Sequence, residues 1–146
     1  MENKVLHVAS YILAKMGDVS TWKLQKLVYY SQAWNLVWND FPLFEEPIQA
    51  WANGPVCPVL YEQHKGRFLI NNSHISGDFS KLTKQEIETI DKVIEFYGGY
   101  SGQELSDISH SERPWMDARR GLEITERGNH VITHEAMSEF YSSIPE

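Results

Sequence analysis

The segment from Ser20 to Asp40, STWKLQKLVYYSQAWNLVWND, most constrains how this chain can fold. At helical spacing its apolar side chains form two stripes on opposite sides, and only a narrow sector around Lys23, Gln25 and Gln32 is polar. A helix that is apolar almost all round needs neighbours on several sides. At about 1.5 Å per residue it spans roughly 27 Å, the width of a small domain. The sequence therefore predicts a buried central helix. The two stripes are Leu24, Leu27, Val28, Ser31, Asn35 and Trp38, and Trp22, Lys26, Tyr29, Tyr30, Ala33 and Val37.

Helical periodicity and helix caps also occur on both sides of this segment. Apolar residues from Val5 to Met16 recur at i, i+3 and i+4, which predicts a first helix packed against the central one as a helical hairpin. Thr83 and Ser101 each precede a Glu by three residues, the capping-box pattern that starts a helix. Together these signals predict a mainly α, compact single-domain bundle of six or seven helices over residues 1–146. Shorter helices are expected to begin near Pro58, Pro114 and Thr133.

At most a small two-stranded β-ribbon is expected beside the helices. Residues 47–53 alternate in polarity, and Val131 to Thr133 are β-branched, so we expect these two segments to pair. Asn53-Gly54-Pro55 predicts a turn in which Gly54 takes a backbone angle that other residues resist. Residues 68–80 are rich in Asn, Ser, Gly and Asp, which is typical of a mobile loop.

Composition restricts the classes of partner and the compartment. The chain has 146 residues, with 20 acidic and 13 basic side chains and a formal net charge of −7. That balance disfavours nucleic acid and anionic membranes as partners, because both attract basic proteins. Cys57 is the one cysteine in the sequence and cannot form an internal disulfide, which fits the cytoplasm. The sequence contains neither a signal-peptide pattern nor an apolar run long enough to span a membrane.

The sequence offers no convincing catalytic, cofactor or metal site. His130 and His134 lie four residues apart, but a helix starting at Thr133 would place them on different elements, and no second ligand pair supports them. Cys57 lies between Val56 and Pro58, an apolar setting in which a thiol usually only packs. Nucleotide-binding glycine motifs and the GxSxG motif are absent. We therefore predict a protein that is not an enzyme.

Two polar residues in apolar surroundings remain open to two interpretations each. Lys26 lies on an apolar stripe between Trp22 and Tyr30, where its stem either covers aromatic surface with the amine in water or supplies the polar group of an aromatic pocket. His110, close to a helix junction, either bonds to a backbone carbonyl or joins a functional site. In the functional interpretation, a small-molecule or catalytic pocket lies near Lys26, Trp51, His110 and Trp115.

The order and spacing of these landmarks resemble the Panacea antitoxin domain family, whose members include SocA-like antitoxins and phage-associated GepA-like proteins. The resemblance extends from about Leu13 to Tyr141. It rests on Leu24 to Tyr30, Pro42-Leu43-Phe44, Ile48 to Trp51, Gly54-Pro55-Val56, Pro58, Tyr61, Leu105, Ser109-His110, Pro114-Trp115, Ile132-Thr133 and Tyr141.

The resemblance implies a bacterial, cytoplasmic protein-binding antitoxin that neutralises a cognate toxin by direct contact. It also implies an alternative role as an adaptor that delivers the toxin to a protease unfoldase. Abundant Trp and Tyr and an acidic charge are consistent with a binding module. Because the pairing surface of such proteins varies with the toxin, the motif residues are expected to be framework or interaction residues. They are Lys26, Tyr30, Trp51, Gly54, Pro55, Tyr61, His110, Pro114 and Trp115.

Overall fold

Helices make up most of the structure, a computed structural model that describes residues 3–144. The two residues at each end of the predicted 1–146 domain lie outside the described range. The predicted mainly α fold is confirmed, and seven helices fall within residues 3–144. None of these helices is long and apolar enough to cross a bilayer. They are α1 (Lys4–Met16), α2 (Thr21–Asn39), α3 (Pro58–His64), α4 (Lys84–Tyr97), α5 (Gly102–His110), α6 (Arg113–Ala118) and α7 (His134–Ser142).

The central helix is α2, as predicted, and α1, α4, α5 and α7 pack around it. Leu27 and Tyr30, one from each predicted stripe, are both fully buried. The Ser20 hydroxyl caps the helix by accepting a hydrogen bond from Lys23 N at 3.0 Å. Asp40 ends it in the left-handed conformation, with φ 63°. The apolar pattern therefore identified the element that organises the fold.

Two residues of the polar sector of α2, Gln25 and Gln32, are buried, whereas Lys23 is half-buried. Gln32 donates to Phe44 O at 2.7 Å and accepts from Leu43 N at 2.6 Å. Gln25 likewise accepts from Cys57 N at 2.9 Å and donates to Cys57 O at 3.3 Å. Each side-chain amide thus bonds to one backbone N–H and one backbone C=O of a nearby segment, at residues that do not belong to a strand. Glutamine is therefore placed on this face for its paired donor and acceptor, which compensate burial.

The strand content exceeds the predicted ribbon. The predicted pairing is confirmed, since Ile48 lies opposite Ile132 in an antiparallel pair. A third strand adds to that sheet, however, with Trp51 opposite Gly54, and a second, two-stranded sheet pairs Ser20 with Leu69. The sequence of the third strand, which contains Gly54 and a proline, favours a turn, and pairing with the neighbouring strand makes it a strand. The strands are β1 (Val19–Ser20), β2 (Ile48–Trp51), β3 (Gly54–Val56), β4 (Leu69–Ile70) and β5 (Val131–Ile132), in sheets ordered β1-β4 and β3-β2-β5.

The segment predicted as a mobile loop, residues 68–80, packs against α1. It contains β4 and two 3₁₀ turns, Asn72–His74 and Phe79–Lys81. Ser10 Oγ donates to Asn72 Oδ1 at 2.9 Å. A Cβ added at Gly77 would lie 2.1 Å from the carbonyl oxygen of Leu6, so only glycine fits at that contact. Polar composition here reflects backbone turns that cover α1.

Candidate binding site

Lys26 buries its amine beneath the hairpin formed by β2 and β3. The side chain is 2% exposed, and Nζ donates to Pro55 O at 3.2 Å. Burial lowers the pKa of Lys26 from 10.5 to about 7. The interpretation in which the amine reaches water is therefore wrong, and the lysine is a buried group whose charge is expensive to maintain.

Gly54 and Pro55 form the lid over this amine. Gly54 has a φ of +118°, and a Cβ added there would lie 2.5 Å from Lys26 Cε. Pro55 supplies the carbonyl that accepts from Lys26. The glycine is needed twice, for a backbone angle that side chains rarely adopt and for the close approach of the lysine.

A pocket of about 310 Å³ opens between α2, the β2–β3 hairpin and α3. Trp51 and Tyr61 form an edge-to-face pair at its wall, with ring centroids 5.0 Å apart. Lys26 and Trp51 are thus brought to one pocket, as one interpretation of the sequence required. The residues that line it are Thr21, Trp22, Gln25, Lys26, Trp51, Asn53, Val56, Tyr61, His64, Lys65, Gly66 and Arg67.

His64 belongs to the same pocket but was not predicted as a site residue. It is buried, and its Nε2 lies 3.0 Å from Nε2 of Gln25. Burial lowers its pKa, a backbone hydrogen bond opposes that change, and the nearby charge of Lys26 lowers the pKa further. His64 is therefore neutral at physiological pH. The histidine at the end of a short helix gave no signal that distinguished it from the other five.

His110 and Trp115 lie behind the hairpin and do not line the pocket. Trp115 Nε1 donates to Trp51 O at 2.8 Å, and the His110 ring stacks on Trp115 with centroids 4.1 Å apart. Burial lowers the pKa of His110, and its Nε2 has no hydrogen-bond partner among the described residues. Pro114 lies in the first turn of α6 and is buried, as is Trp115. The four residues of the predicted pocket are thus neighbours, but two of them support the hairpin from behind.

Arg119 is a central residue that the sequence analysis missed. It is buried, with its guanidinium 5.1 Å from the Trp115 ring. Nη1 donates to Ala50 O at 3.0 Å, and Nη2 donates to Glu123 O at 3.0 Å and to Glu126 O. The arginine ties β2 to the segment after α6. Its spacing of four from Trp115 on a short helix was the signal that could have revealed it.

Tyr30, on α2, belongs to a separate polar cluster to which other segments also contribute. Its hydroxyl and that of Tyr141 each donate to Glu112 Oε1 at 2.7 Å, and the Tyr29 and Tyr141 hydroxyls are 3.0 Å apart. Burial raises the pKa of Glu112, and the two tyrosine hydrogen bonds oppose that rise. Glu112 was also missed, because a glutamate before an arginine and a proline is indistinguishable from a surface residue. We call Tyr29, Tyr30, Glu112 and Tyr141 the tyrosine cluster.

The described residues form neither a metal site nor a reactive-thiol site. Residues 3–144 contain no group of three His, Cys, Asp or Glu side chains that could hold a metal ion. Cys57 is buried, and burial raises the pKa of its thiol to about 11. The thiol is therefore protonated at neutral pH, in keeping with a packing role.

Comparison with known proteins identifies the family. The model of the family described as "Antitoxin SocA-like, Panacea domain" matches residues 24–116, which include α2 from Leu24 onward and the β2–β3 hairpin. They also include every residue of the pocket lining except Thr21 and Trp22. Antitoxin SocA of Caulobacter vibrioides (strain NA1000 / CB15N) is 32% identical over 124 residues, a match covering 74% of this chain and 66% of the relative. The chain thus spans just under two thirds of the length of that relative. No solved structure matches. The chain belongs to the family of SocA-like antitoxins with a Panacea domain.

Proposed function

We propose that this protein is an antitoxin that neutralises a toxin by direct protein–protein contact in the bacterial cytoplasm, with no enzymatic step of its own. Membership of the SocA-like family is the observation that carries the proposal. The curated relative is named an antitoxin, and the residues matched by the family model contain the β2–β3 hairpin and most of the pocket lining.

Three exposed apolar side chains next to the pocket are suited to the toxin. Thr21 N donates to Phe68 O at 2.9 Å, and Ser20 pairs with Leu69, so the start of α2 and β4 are joined. These backbone contacts place the segments that carry Trp22, Phe68 and Leu69 next to each other, and all three side chains are exposed. We call these three residues the contact face. Exposed apolar and aromatic groups at one place are typical of protein interfaces.

The proposal is tested by co-expression with the product of the neighbouring reading frame, in cells with and without their ATP-dependent proteases. We expect growth to be restored and the two proteins to purify as a complex in both strains. Rescue that disappears without a protease would support the adaptor role with an unfoldase instead. Continued growth arrest with both proteins present would refute an antitoxin function for this pair.

A matched pair of variants tests the contact face. Phe68 and Phe96 are almost equally exposed, at 73% and 72%, but Phe96 lies on α4 outside the contact face. We expect Phe68→Ser to weaken toxin binding and Phe96→Ser to leave it unchanged, measured by calorimetry on the purified proteins. The reverse result would move the interface to the α4 side.

A second candidate function, small-molecule binding, is favoured by one observation. Lys26 and Trp51 line a single pocket whose volume of about 310 Å³ lies at the lower end of the range for ligand sites. A screen of metabolites by thermal shift would support this function if one compound stabilised the wild type and failed to stabilise Trp51→Ala.

A further inference from the structure

The charge of the pocket lining contrasts with that of the whole protein. The chain carries a net charge of −7, yet Lys26, Lys65 and Arg67 line the pocket and no Asp or Glu does. Lys65 forms an ion pair with Glu62 at 2.8 Å, so its charge is partly offset. Lys26 and Arg67 have no such partner within residues 3–144. The pocket is therefore a local positive region on an acidic protein, which attracts an anionic group.

The two cations also have hydrogen-bond donors for which no described residue supplies an acceptor. The ammonium form of Lys26 has three donors, and within the described chain its amine makes one hydrogen bond, to Pro55 O. The Arg67 guanidinium makes neither a hydrogen bond nor an ion pair with any described residue. A buried amine with one neutral acceptor is incompletely compensated, because charged groups normally require several partners away from water. An anion in the pocket would supply what is missing.

The pocket walls indicate the kind of anion. Trp22, Trp51 and Tyr61 line the pocket beside the cations. Aromatic walls exclude water and strengthen a charge-assisted hydrogen bond, and they also favour carbon atoms next to the anion. A volume of about 310 Å³ accommodates a side chain or the end of a chain but no folded element. The anion that an unmodified protein carries is a carboxylate.

We propose that this pocket binds a carboxylate group of the partner protein, either an Asp or Glu side chain or the carboxyl end of the chain. The identity of that partner rests on the proposed antitoxin function. The contact face lies next to the pocket, since Trp22 belongs to both. The toxin segment thus contains a carboxylate flanked by apolar residues. The carboxylate lies near Lys26 and Arg67, and the flanking apolar residues contact Phe68 and Leu69.

The first test uses small probes and does not depend on the toxin. The probes are N-acetylphenylalanine, with a chain-end carboxylate; N-acetylglutamic acid α-methylamide, with a side-chain carboxylate; and the neutral N-acetylphenylalaninamide. At millimolar concentration we expect at least one carboxylate to shift the indole NMR signals of Trp22 and Trp51, and the neutral amide to leave them unchanged. The tighter carboxylate identifies the source. No shift with either acid, or equal shifts with the neutral amide, would overturn the proposal.

Charge-reversal variants provide the matched control. Arg67→Glu should abolish the probe shifts, while Arg120→Glu should not, because Arg120 is also an exposed arginine but lies outside the pocket lining. Loss of the shifts in both variants, or in neither, would contradict binding in this pocket. Arg67 lies on the surface, so Arg67→Glu is expected to fold normally.

The second test uses the complex with the toxin. We expect Lys26→Met and Arg67→Glu each to weaken toxin binding about tenfold or more, with Arg120→Glu unchanged. If the wild type binds the toxin and both pocket variants bind it equally well, the carboxylate proposal fails while the antitoxin function stands. If the wild type binds the carboxylate probes but not the toxin, the antitoxin function fails while the pocket assignment stands. Thermal melting of Lys26→Met confirms that the variant is folded.

Discussion

Two ionisable side chains, Lys26 on α2 and Glu112 against Tyr30 of α2, are compensated very differently by their surroundings. Glu112 Oε1 accepts two tyrosine hydroxyls at 2.7 Å each, from Tyr30 and Tyr141. Lys26 Nζ donates to one carbonyl at the longer distance of 3.2 Å. The tyrosine cluster is thus stabilised by its own residues, whereas the Lys26 pocket leaves donors available. Incomplete compensation at a pocket indicates a place where a partner contributes to the interaction.

The two groups should also affect stability with opposite dependence on pH. The pKa of Lys26 is lowered to about 7, so the unfolded chain binds more protons than the folded one between about pH 7 and 10.5, and stability rises with pH across that window. The pKa of Glu112 is raised above 4.5, so the folded state binds more protons just above that value, and stability falls as pH rises there. Both charges therefore destabilise the fold at neutral pH.

The largest predicted effect is that of Lys26→Met. At about 1.4 kcal/mol per pKa unit, the wild type should gain about 3–4 kcal/mol of stability relative to the variant between pH 7 and pH 10. The variant should accordingly be more stable than the wild type at pH 7, and the difference should shrink as pH rises. Urea unfolding at the two pH values measures this. A variant less stable than the wild type at both would show that Lys26 is well compensated.

Gly54→Ala is the next largest effect and tests the lid over Lys26. The added methyl would lie 2.5 Å from Lys26 Cε at a φ of +118°, so we expect a loss of about 2–3 kcal/mol. Gly121→Ala is the control, because its φ is also positive, at +94°, but no atom lies within 4 Å of the added Cβ. It should lose only about 1 kcal/mol. Equal losses would mean that the contact with Lys26 is unimportant.

Tyr30→Phe, in the tyrosine cluster, should have a smaller effect on stability than Gly54→Ala. It removes one of the two donors to Glu112, and we expect a loss of about 1.5 kcal/mol at pH 7. In a Glu112→Gln background the loss should be smaller, since a neutral acceptor forms a weaker hydrogen bond. Chemical denaturation of the single and double variants measures the coupling. Identical losses in the two backgrounds would show that the carboxylate charge contributes nothing.

Glu112→Gln should have the smallest effect, with a characteristic pH dependence. Glutamine keeps an acceptor for the tyrosines and resembles the protonated acid, so the variant should be more stable than the wild type at pH 7. The difference should vanish as pH falls below 4.5, where the wild-type carboxyl is protonated in both states. Thermal melting at pH 4 and pH 7 checks this. Destabilisation at both values would mean that the cluster requires the charged form.

Local signals in the sequence predicted much of the fold. The capping boxes at Thr83 and Ser101 start α4 and α5 as predicted, with both reciprocal hydrogen bonds present. Caps depend on residues three apart, so the sequence contains the whole interaction. The third strand was missed because Gly54-Pro55 favours a turn in isolation, and only its pairing with β2 makes it a strand.

The candidate site was only partly predictable. Lys26 could be identified because its charge interrupts an apolar stripe of one helix. Glu112 could not, because it stands among polar neighbours in sequence. The spacing of Arg119 from Trp115 was a signal, but spacing alone does not predict burial, which for both residues depends on distant segments. Glu112 receives a hydrogen bond from Tyr30, which is 82 residues away in sequence, and Arg119 donates to Ala50, which is 69 residues away.

The sequence by itself determined that α2 is buried on several sides, since helical geometry converts the order of its apolar residues directly into faces. Only the tertiary structure decided the role of the polar residues on that helix. Gln25 and Gln32 became paired partners of passing backbone, and Lys26 became a poorly compensated amine beside a pocket. The physical reason is that burial of apolar surface is non-directional, whereas compensation of a polar group requires a specific partner at about 3 Å, supplied by a segment distant in sequence.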